Sequence, residues 1–269
     1  MTAGYASRTM WTVLALGLLS PIVWALMGAD PIPALEPWMD QHVPGWLTSP
    51  VGATTGTLIL AMGVGMVLGV GRGRAAMTHL STLAHEFGHG LIAALLGGRI
   101  HRITVSRDGS GLAHIAFPGR GSVRRFLVSF AGYLAPGVFG VASVQVALAG
   151  LGTAWLAYLA VLLGIMLVLT VRSWWGVLMA LLLGAAGWAL LALGSGWLAV
   201  VVVAGLAGAM LGGGVLDATA QWRLTRNTVT TDAGAMATQT GLPATFFAGL
   251  QLAGAIALAG VGFALPFAG

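Results

Sequence analysis

Two histidines and a glutamate stand in the middle of an apolar stretch, "LSTLAHEFGHGLIAALLGG", at residues 80–98. They form the pattern His-Glu-x-x-His at His85, Glu86 and His89. Residues four apart lie on one face of a helix, so both imidazoles can reach the same metal ion. The glutamate projects beside them, where a carboxylate can take a proton from a water on the metal. The spacing therefore predicts a catalytic zinc site, because zinc accepts nitrogen and oxygen ligands and leaves a position for water.

The apolar setting of these residues strengthens the prediction. A chance polar cluster on a helix is the alternative interpretation. A carboxylate inside a membrane helix costs about 2.5–3.5 kcal/mol on insertion scales, and such groups are usually functional. The chain has only seven acidic residues, of which Glu86 is one, and it has no cysteine. Histidine and carboxylate are therefore the strong metal ligands that remain.

The third ligand of a catalytic zinc must come from elsewhere in the chain, since such sites usually have three protein ligands. Asp217 follows a glycine cluster near the end of an apolar run, "VVVAGLAGAMLGGGVLDATAQW", and is the preferred candidate. A helix cap or an ion pair with Arg223 is the alternative role for this residue. Asp232 in "TTDAGAM" is the rival ligand, although Thr-Thr-Asp before an alanine-rich stretch is typical of a helix N-cap.

The composition places the whole chain in the membrane. Of its 269 residues, 58% are hydrophobic and 7% are charged, whereas soluble domains carry about 25% charged residues. We therefore expect an all-α, multi-pass integral membrane protein. A spanning helix needs about 20 mostly apolar residues, which predicts about eight spans: 10–29, 51–71, 78–97, 126–149, 152–171, 174–193, 197–217 and 244–267.

These spans predict a single integral membrane domain over residues 1–269. Residues 1–77 form N-terminal accessory helices, residues 78–243 form the core that carries the motif, and residues 244–269 form a C-terminal helix. The loop at 99–125 holds six arginines and one acid, Asp108. Because cytoplasmic loops are enriched in arginine and lysine, we expect this loop on the cytoplasmic side.

A β-hairpin is predicted at residues 101–117, directly after the motif helix. The segment "HRITVSRDGSGLAHIAF" alternates apolar and polar residues and turns through Asp108-Gly109, which is a strong hairpin signal. An exposed edge there can take an extended substrate segment by strand addition, although a purely structural hairpin is the alternative. For His114, a position facing the lipid headgroups is the favoured alternative. The candidate substrate-binding residues are Val105, Gly109, Gly111 and His114.

Several segments together resemble the site-2 protease family of intramembrane zinc metalloproteases. The likeness runs over roughly residues 78–250 and is carried by "TLAHEFGHGLIAALLGGRI", "VSRDGSGLAH", "AGYLAPGVFG" and "DAGAMATQTGLPATFF". More narrowly, these segments are similar to the compact site-2-protease-like peptidase branch of actinobacteria and related bacteria. The resemblance implies that His85, His89 and Asp217 bind Zn²⁺. It also implies that Glu86 is the general base.

The expected function is hydrolysis of peptide bonds in or near transmembrane segments, in the bacterial cytoplasmic membrane. The expected partners are a membrane-protein or peptide substrate and the lipid bilayer, and the net charge of +5 comes from too few charges to indicate nucleic acid. A non-proteolytic metal-binding protein or transporter using the same histidines is one alternative, but few other ionisable groups line the spans. A degenerate, non-cleaving homologue is another, and the presence of Glu86 counts against it.

Overall fold

The protein is mostly helical, with one small hairpin. The computed structural model describes residues 8–27, 41–71, 74–117, 122–169, 171–192, 195–226 and 231–268. The helices are α1 (Arg8–Leu26), α2 (Gly45–Thr48), α3 (Thr55–Val70), α4 (Arg74–Leu95), α5 (Ser122–Leu148), α6 (Gly152–Leu169), α7 (Trp174–Ala192), α8 (Gly196–Thr225), α9 (Asp232–Thr240) and α10 (Ala244–Ala264). The strands β1 (Arg99–Val105) and β2 (Gly111–Ala116) lie between α4 and α5.

Four of the described helices are long and apolar enough to cross a membrane. They are Val123–Leu148, Trp174–Ala192, Gly196–Thr225 and Ala244–Phe267. The shorter apolar helices are Ala15–Leu26, Thr55–Val70 and Gly152–Val168. Each of the eight predicted spans overlaps a helix, but the prediction of eight crossings is not confirmed, because several of these helices are shorter than a full span.

Helix α8 lies at the centre and packs against α3, α5 and α10. Its contact with α3 brings two backbones together, because a Cβ atom on Gly65 would overlap the carbonyl group of Gly205. A Cβ atom on Gly208 would likewise overlap the carbonyl group of Met62. Small residues at such crossings allow the close approach on which helix packing in membranes depends. This central helix forms one side of the space into which α4 and α5 fit.

The motif helix α4 ends in a turn that directs the chain into the hairpin. Gly97 adopts a left-handed conformation, with φ of 75°. The N–H of Gly98 then donates to the carbonyl oxygen of Ala93 at 2.7 Å, which satisfies a helix-end acceptor. Since β1 begins at Arg99, the hairpin folds back along the helix that carries the two histidines.

The predicted hairpin is confirmed as an antiparallel pair of strands. Ile103 pairs with Ala113 and Val105 pairs with Gly111. The turn between them contains Gly109 at φ of 82°, a conformation that favours glycine. The exposed Asp108 carboxylate accepts hydrogen bonds from the Ser110 side chain and N–H, which lower the pKa of Asp108.

The outer edge of β1 is closed by the connection between α6 and α7. Val171 forms a parallel bridge with Ile103, and the Arg172 N–H donates to the Ile103 carbonyl oxygen at 3.0 Å. The Ser173 hydroxyl accepts from the Val105 N–H at 2.9 Å and donates to the Val105 carbonyl oxygen at 3.0 Å. Among the described residues no strand pairs with the outer edge of β2.

Candidate metal centre

Helix α4 brings the two histidines together as their spacing predicts. The Nε2 atoms of His85 and His89 are 2.9 Å apart. Their rings meet edge to face, with centroids 4.5 Å apart. His89 and Glu86 are buried, with 7% and 4% of their surface exposed. The two imidazoles therefore form one candidate metal-binding face of α4.

Asp232 supplies the carboxylate that faces these imidazoles. It is the first residue of α9, and the preceding Thr231 caps the helix by accepting a hydrogen bond from the Gly234 N–H. Its Oδ2 atom lies 3.3 Å from Nε2 of His85 and 3.2 Å from Nε2 of His89. Burial alone would raise the pKa of Asp232, but the hydrogen bonds from both histidines lower it well below its usual range. The carboxylate is therefore ionised, as a metal ligand must be.

The geometry of this group fits zinc. The three facing atoms, two nitrogens and one oxygen, are separated by 2.9 to 3.3 Å. Two ligands at about 2.0–2.1 Å from a tetrahedral zinc ion are separated by about 3.3 Å. His85, His89 and Asp232 thus have the donor types and the mutual spacing of a three-ligand zinc site.

The orientation of His89 is fixed by helix α5. Its Nδ1 atom lies 2.7 Å from the carbonyl oxygen of Val128. A carbonyl only accepts, so Nδ1 carries a proton and donates it to Val128, and Nε2 is the ring nitrogen that faces Asp232. Bonds of this kind hold metal-binding histidines in the correct tautomer.

A glycine on α5 makes room for both imidazoles. A Cβ atom on Gly132 would overlap the ring of His89 and would lie 2.8 Å from Cε1 of His85. The next residue, Tyr133, packs its ring edge to face on His85, with centroids 4.5 Å apart. Gly132 belongs to the segment "GYLAPG", in which no local pattern predicts a contact with the histidines. Helix α5 therefore forms a close wall around the ligand set.

Glu86 is held next to β2. It accepts a hydrogen bond from the Ala113 N–H. A Cβ atom on Gly111 would lie 2.6 Å from its Oε1 atom, so only glycine leaves space for the carboxylate there. The Oε2 atom is buried and has no hydrogen-bond partner among the described residues. One oxygen of Glu86 is thus free to exchange a proton.

The remaining predicted substrate-binding residues have different surroundings. Gly109 lies in the turn, where its carbonyl oxygen accepts a hydrogen bond from the Thr82 hydroxyl and attaches the turn to α4. Val105 is 1% exposed and its backbone is bonded to Ser173. His114 lies at an odd spacing from Gly111, so it occupies the opposite face of the hairpin from Glu86. Gly111 is the member of the predicted set that lies beside the motif.

Asp217 lies apart from the metal-binding group. Its Oδ2 atom accepts a hydrogen bond of 2.6 Å from the Ser81 hydroxyl, and its Oδ1 atom is 3.7 Å from Nη2 of Arg74. Ser81 precedes His85 by one helical turn, so Asp217 contacts α4 one turn before the histidines. The structure thus groups Asp232 rather than the preferred Asp217 with the imidazoles, and it pairs Asp217 with Arg74 rather than Arg223.

The comparison with known families supports a peptidase-like core. A family model described as Peptidase M50B-like matches residues 57–262. The matched region contains the motif helix, the hairpin, the glycine wall of α5 and both candidate aspartates. No curated protein and no solved structure matches the chain.

Proposed function

The chain belongs to the Peptidase M50B-like family of the site-2 proteases, and on that premise we propose that it is an intramembrane zinc metalloprotease. Its substrates are peptide bonds in or near transmembrane segments of membrane proteins. The observation that carries the proposal is the convergence of His85, His89 and Asp232 beside the buried carboxylate of Glu86. Four apolar helices long enough to span a bilayer support the membrane setting.

The proposed zinc ligands are His85, His89 and Asp232. Zinc bound there supplies Lewis-acid activation of water and polarisation of the scissile carbonyl. The Val128 carbonyl holds the His89 ring in the tautomer that offers Nε2 to the ion. The ionised Asp232 contributes the single negative charge of the ligand set.

Glu86 acts as the general base and then as the general acid. Its free Oε2 atom accepts a proton from the attacking water, and the same proton passes to the nitrogen of the leaving amine. Gly111 of β2 leaves the space that the carboxylate occupies beside the hairpin. Water adds to the carbonyl carbon and the carbon–nitrogen bond breaks, so the products are one carboxyl end and one amino end.

The outer edge of β2 receives the substrate as an additional strand. The edge of β1 is occupied by residues 171–173, whereas β2 passes directly beside Glu86 at Gly111. An extended segment that pairs with β2 presents its backbone to the carboxylate. A helical substrate must unwind to be cleaved, and pairing with β2 replaces the helical hydrogen bonds that unwinding breaks.

Zinc content and peptide cleavage together test the proposal. Purified protein in detergent is expected to hold about one zinc ion and to cleave a transmembrane peptide, and His85→Ala is expected to lose both properties. Chelation should stop cleavage and added zinc should restore it. Zinc-loaded protein that cleaves no transmembrane peptide, but carries zinc across a liposome membrane, would identify a transporter instead.

A further inference from the structure

An apolar cleft of about 230 Å³ lies behind the motif helix. Helix α4 contributes Leu80, Leu83, Ala84 and Phe87 to its wall, and α5, α6, α7 and α8 contribute the rest. Successive residues of an α-helix are rotated by about 100°. By that rotation the four wall residues occupy the side of α4 opposite to the two histidines. The cleft therefore lies behind the motif helix and is separate from the candidate metal centre.

The cleft offers nothing for a polar ligand. Ser143 is the one polar side chain among the described wall residues. Its hydroxyl already accepts a hydrogen bond of 2.8 Å from the indole N–H of Trp155. Cavities with apolar walls stay free of water and take up apolar molecules. Walls of this kind suit a hydrocarbon.

The cleft lies among the side chains of five helices, which suits a narrow occupant. A transmembrane helix with its side chains is about 10–12 Å across. A single flexible hydrocarbon chain has a much smaller cross-section and can follow the shape of the cleft.

The bilayer is the source of such a chain. Helix α7 forms the outer wall of the cleft and is one of the four candidate membrane spans. Its outward residues are exposed, with Leu181 at 54%, Leu182 at 55% and Trp188 at 71%. Around an apolar helix of this kind the surrounding medium is the acyl chains of the membrane lipids. We propose that the cleft binds one lipid acyl chain, which packs against Leu83 and Phe87 and supports α4 beneath the metal centre.

Two glycines of α7 provide a matched pair for the test. Gly187 lines the cleft and Gly184 does not. A Cβ atom on either would meet nothing within 4 Å. Leucine at either position adds the same side chain to the same helix and improves helix propensity equally. Gly187→Leu fills the cleft, whereas Gly184→Leu leaves it open.

The experiment compares lipid retention by the full chain after purification in detergent. Native mass spectrometry counts the retained lipid, and a phospholipid with a photoreactive acyl chain maps the contact. Wild type and Gly184→Leu are expected to keep one lipid and to cross-link at wall residues. Gly187→Leu should reduce retention at least about fourfold, the effect of displacing one methylene group. Its unfolding midpoint should equal that of Gly184→Leu, and its zinc content should equal that of wild type.

Three results would overturn the proposal. The first is equal retention by both variants with cross-links confined to outward residues such as Leu181, which would indicate surface lipid only. The second is loss of lipid cross-linking when a transmembrane peptide is added before irradiation, which would make the cleft a substrate site. The third applies if Gly187→Leu does not fold: Ala160→Leu then fills the cleft from α6, and undiminished retention by that variant would contradict lipid binding there. The lipid assignment does not rest on the proposed protease activity.

Discussion

Two carboxylates approach the motif helix, and they do so from different kinds of structure. Asp232 begins the short helix α9, so its side chain extends past the helix end and lies within 3.3 Å of both imidazoles. Asp217 lies within the long helix α8, so it approaches α4 from the side and bonds Ser81 and Arg74. The carboxylate at the helix end thus faces the two imidazoles, whereas the one within α8 links α8 to α4. The geometry therefore separates a candidate metal ligand from a contact between two helices.

The largest expected effect separates these roles directly. Asp232→Ala removes the one anionic ligand and leaves two histidines, which are too few to hold a catalytic zinc. Bound zinc should fall from about one per chain to a small fraction, and peptide cleavage should fall by more than the 10–100-fold that a lost outer-shell partner costs. Elemental analysis and a fluorogenic transmembrane peptide measure the two quantities. Full zinc occupancy in Asp232→Ala would show that Asp232 is not a zinc ligand.

The next effect isolates chemistry from metal binding. Glu86→Gln keeps the size of the side chain and removes the proton acceptor, while His85, His89 and Asp232 stay in place. Cleavage should fall by at least about 10²-fold, the lower range for loss of a general base, and zinc content should not change. If Glu86→Gln cleaved the peptide at the wild-type rate, another residue would have to be the base, and Asp232 would be the next candidate.

A third substitution tests the wall that aligns the imidazoles. Gly132→Ala places a methyl group against both histidine rings, so either α5 or the rings must shift. Zinc affinity should fall about 10–100-fold, the range observed when groups that orient metal ligands are changed. Competition with a chelator of known affinity measures the change. Gly164→Ala on α6 is the matched control, because its added Cβ meets nothing within 4 Å.

Local features of the sequence are sufficient to predict the motif helix and the hairpin. The spacing of His85 and His89 lies within one helical turn, and the Asp108-Gly109 turn lies within one hairpin, so neither depends on distant packing. The third ligand does depend on it. The Thr-Thr-Asp pattern predicts an N-cap at Asp232, but Thr231 is the cap and Asp232 is the first helical residue. A residue that begins a helix can also face a metal site, and only the fold shows which groups lie opposite it.

The closing of β1 and the contacts of Asp217 were not predictable for the same reason. Ser173 bonds Val105 across 68 residues, and Ser81 bonds Asp217 across 136 residues. No short pattern in the sequence marks either pair. The position of Asp217 after an apolar run favours it as the third ligand, but that setting does not distinguish a metal ligand from a contact between helices.

The smallest expected effect concerns Asp217 itself. Asp217→Asn keeps an oxygen that can accept the Ser81 hydroxyl, but it replaces a charged acceptor with a neutral one and removes the weak pair with the half-exposed Arg74. Hydrogen bonds to charged groups contribute about 1.5–3 kcal/mol and neutral ones about 0.5–1.5 kcal/mol, and an exposed ion pair adds little. The free energy of unfolding should therefore fall by about 1 kcal/mol.

Zinc content should remain at the wild-type value in Asp217→Asn, and cleavage should stay within a few-fold of it. Ser81→Ala should lower the free energy of unfolding by a similar amount, and the double variant should cost less than the sum of the two, because both remove the same hydrogen bond. Denaturation of the four proteins in mixed detergent gives this cycle. If Asp217→Asn lost zinc while Asp232→Asn kept it, the metal-binding role would belong to the aspartate within α8, and the hydrogen bond to Ser81 would be only its arrangement in the absence of the ion.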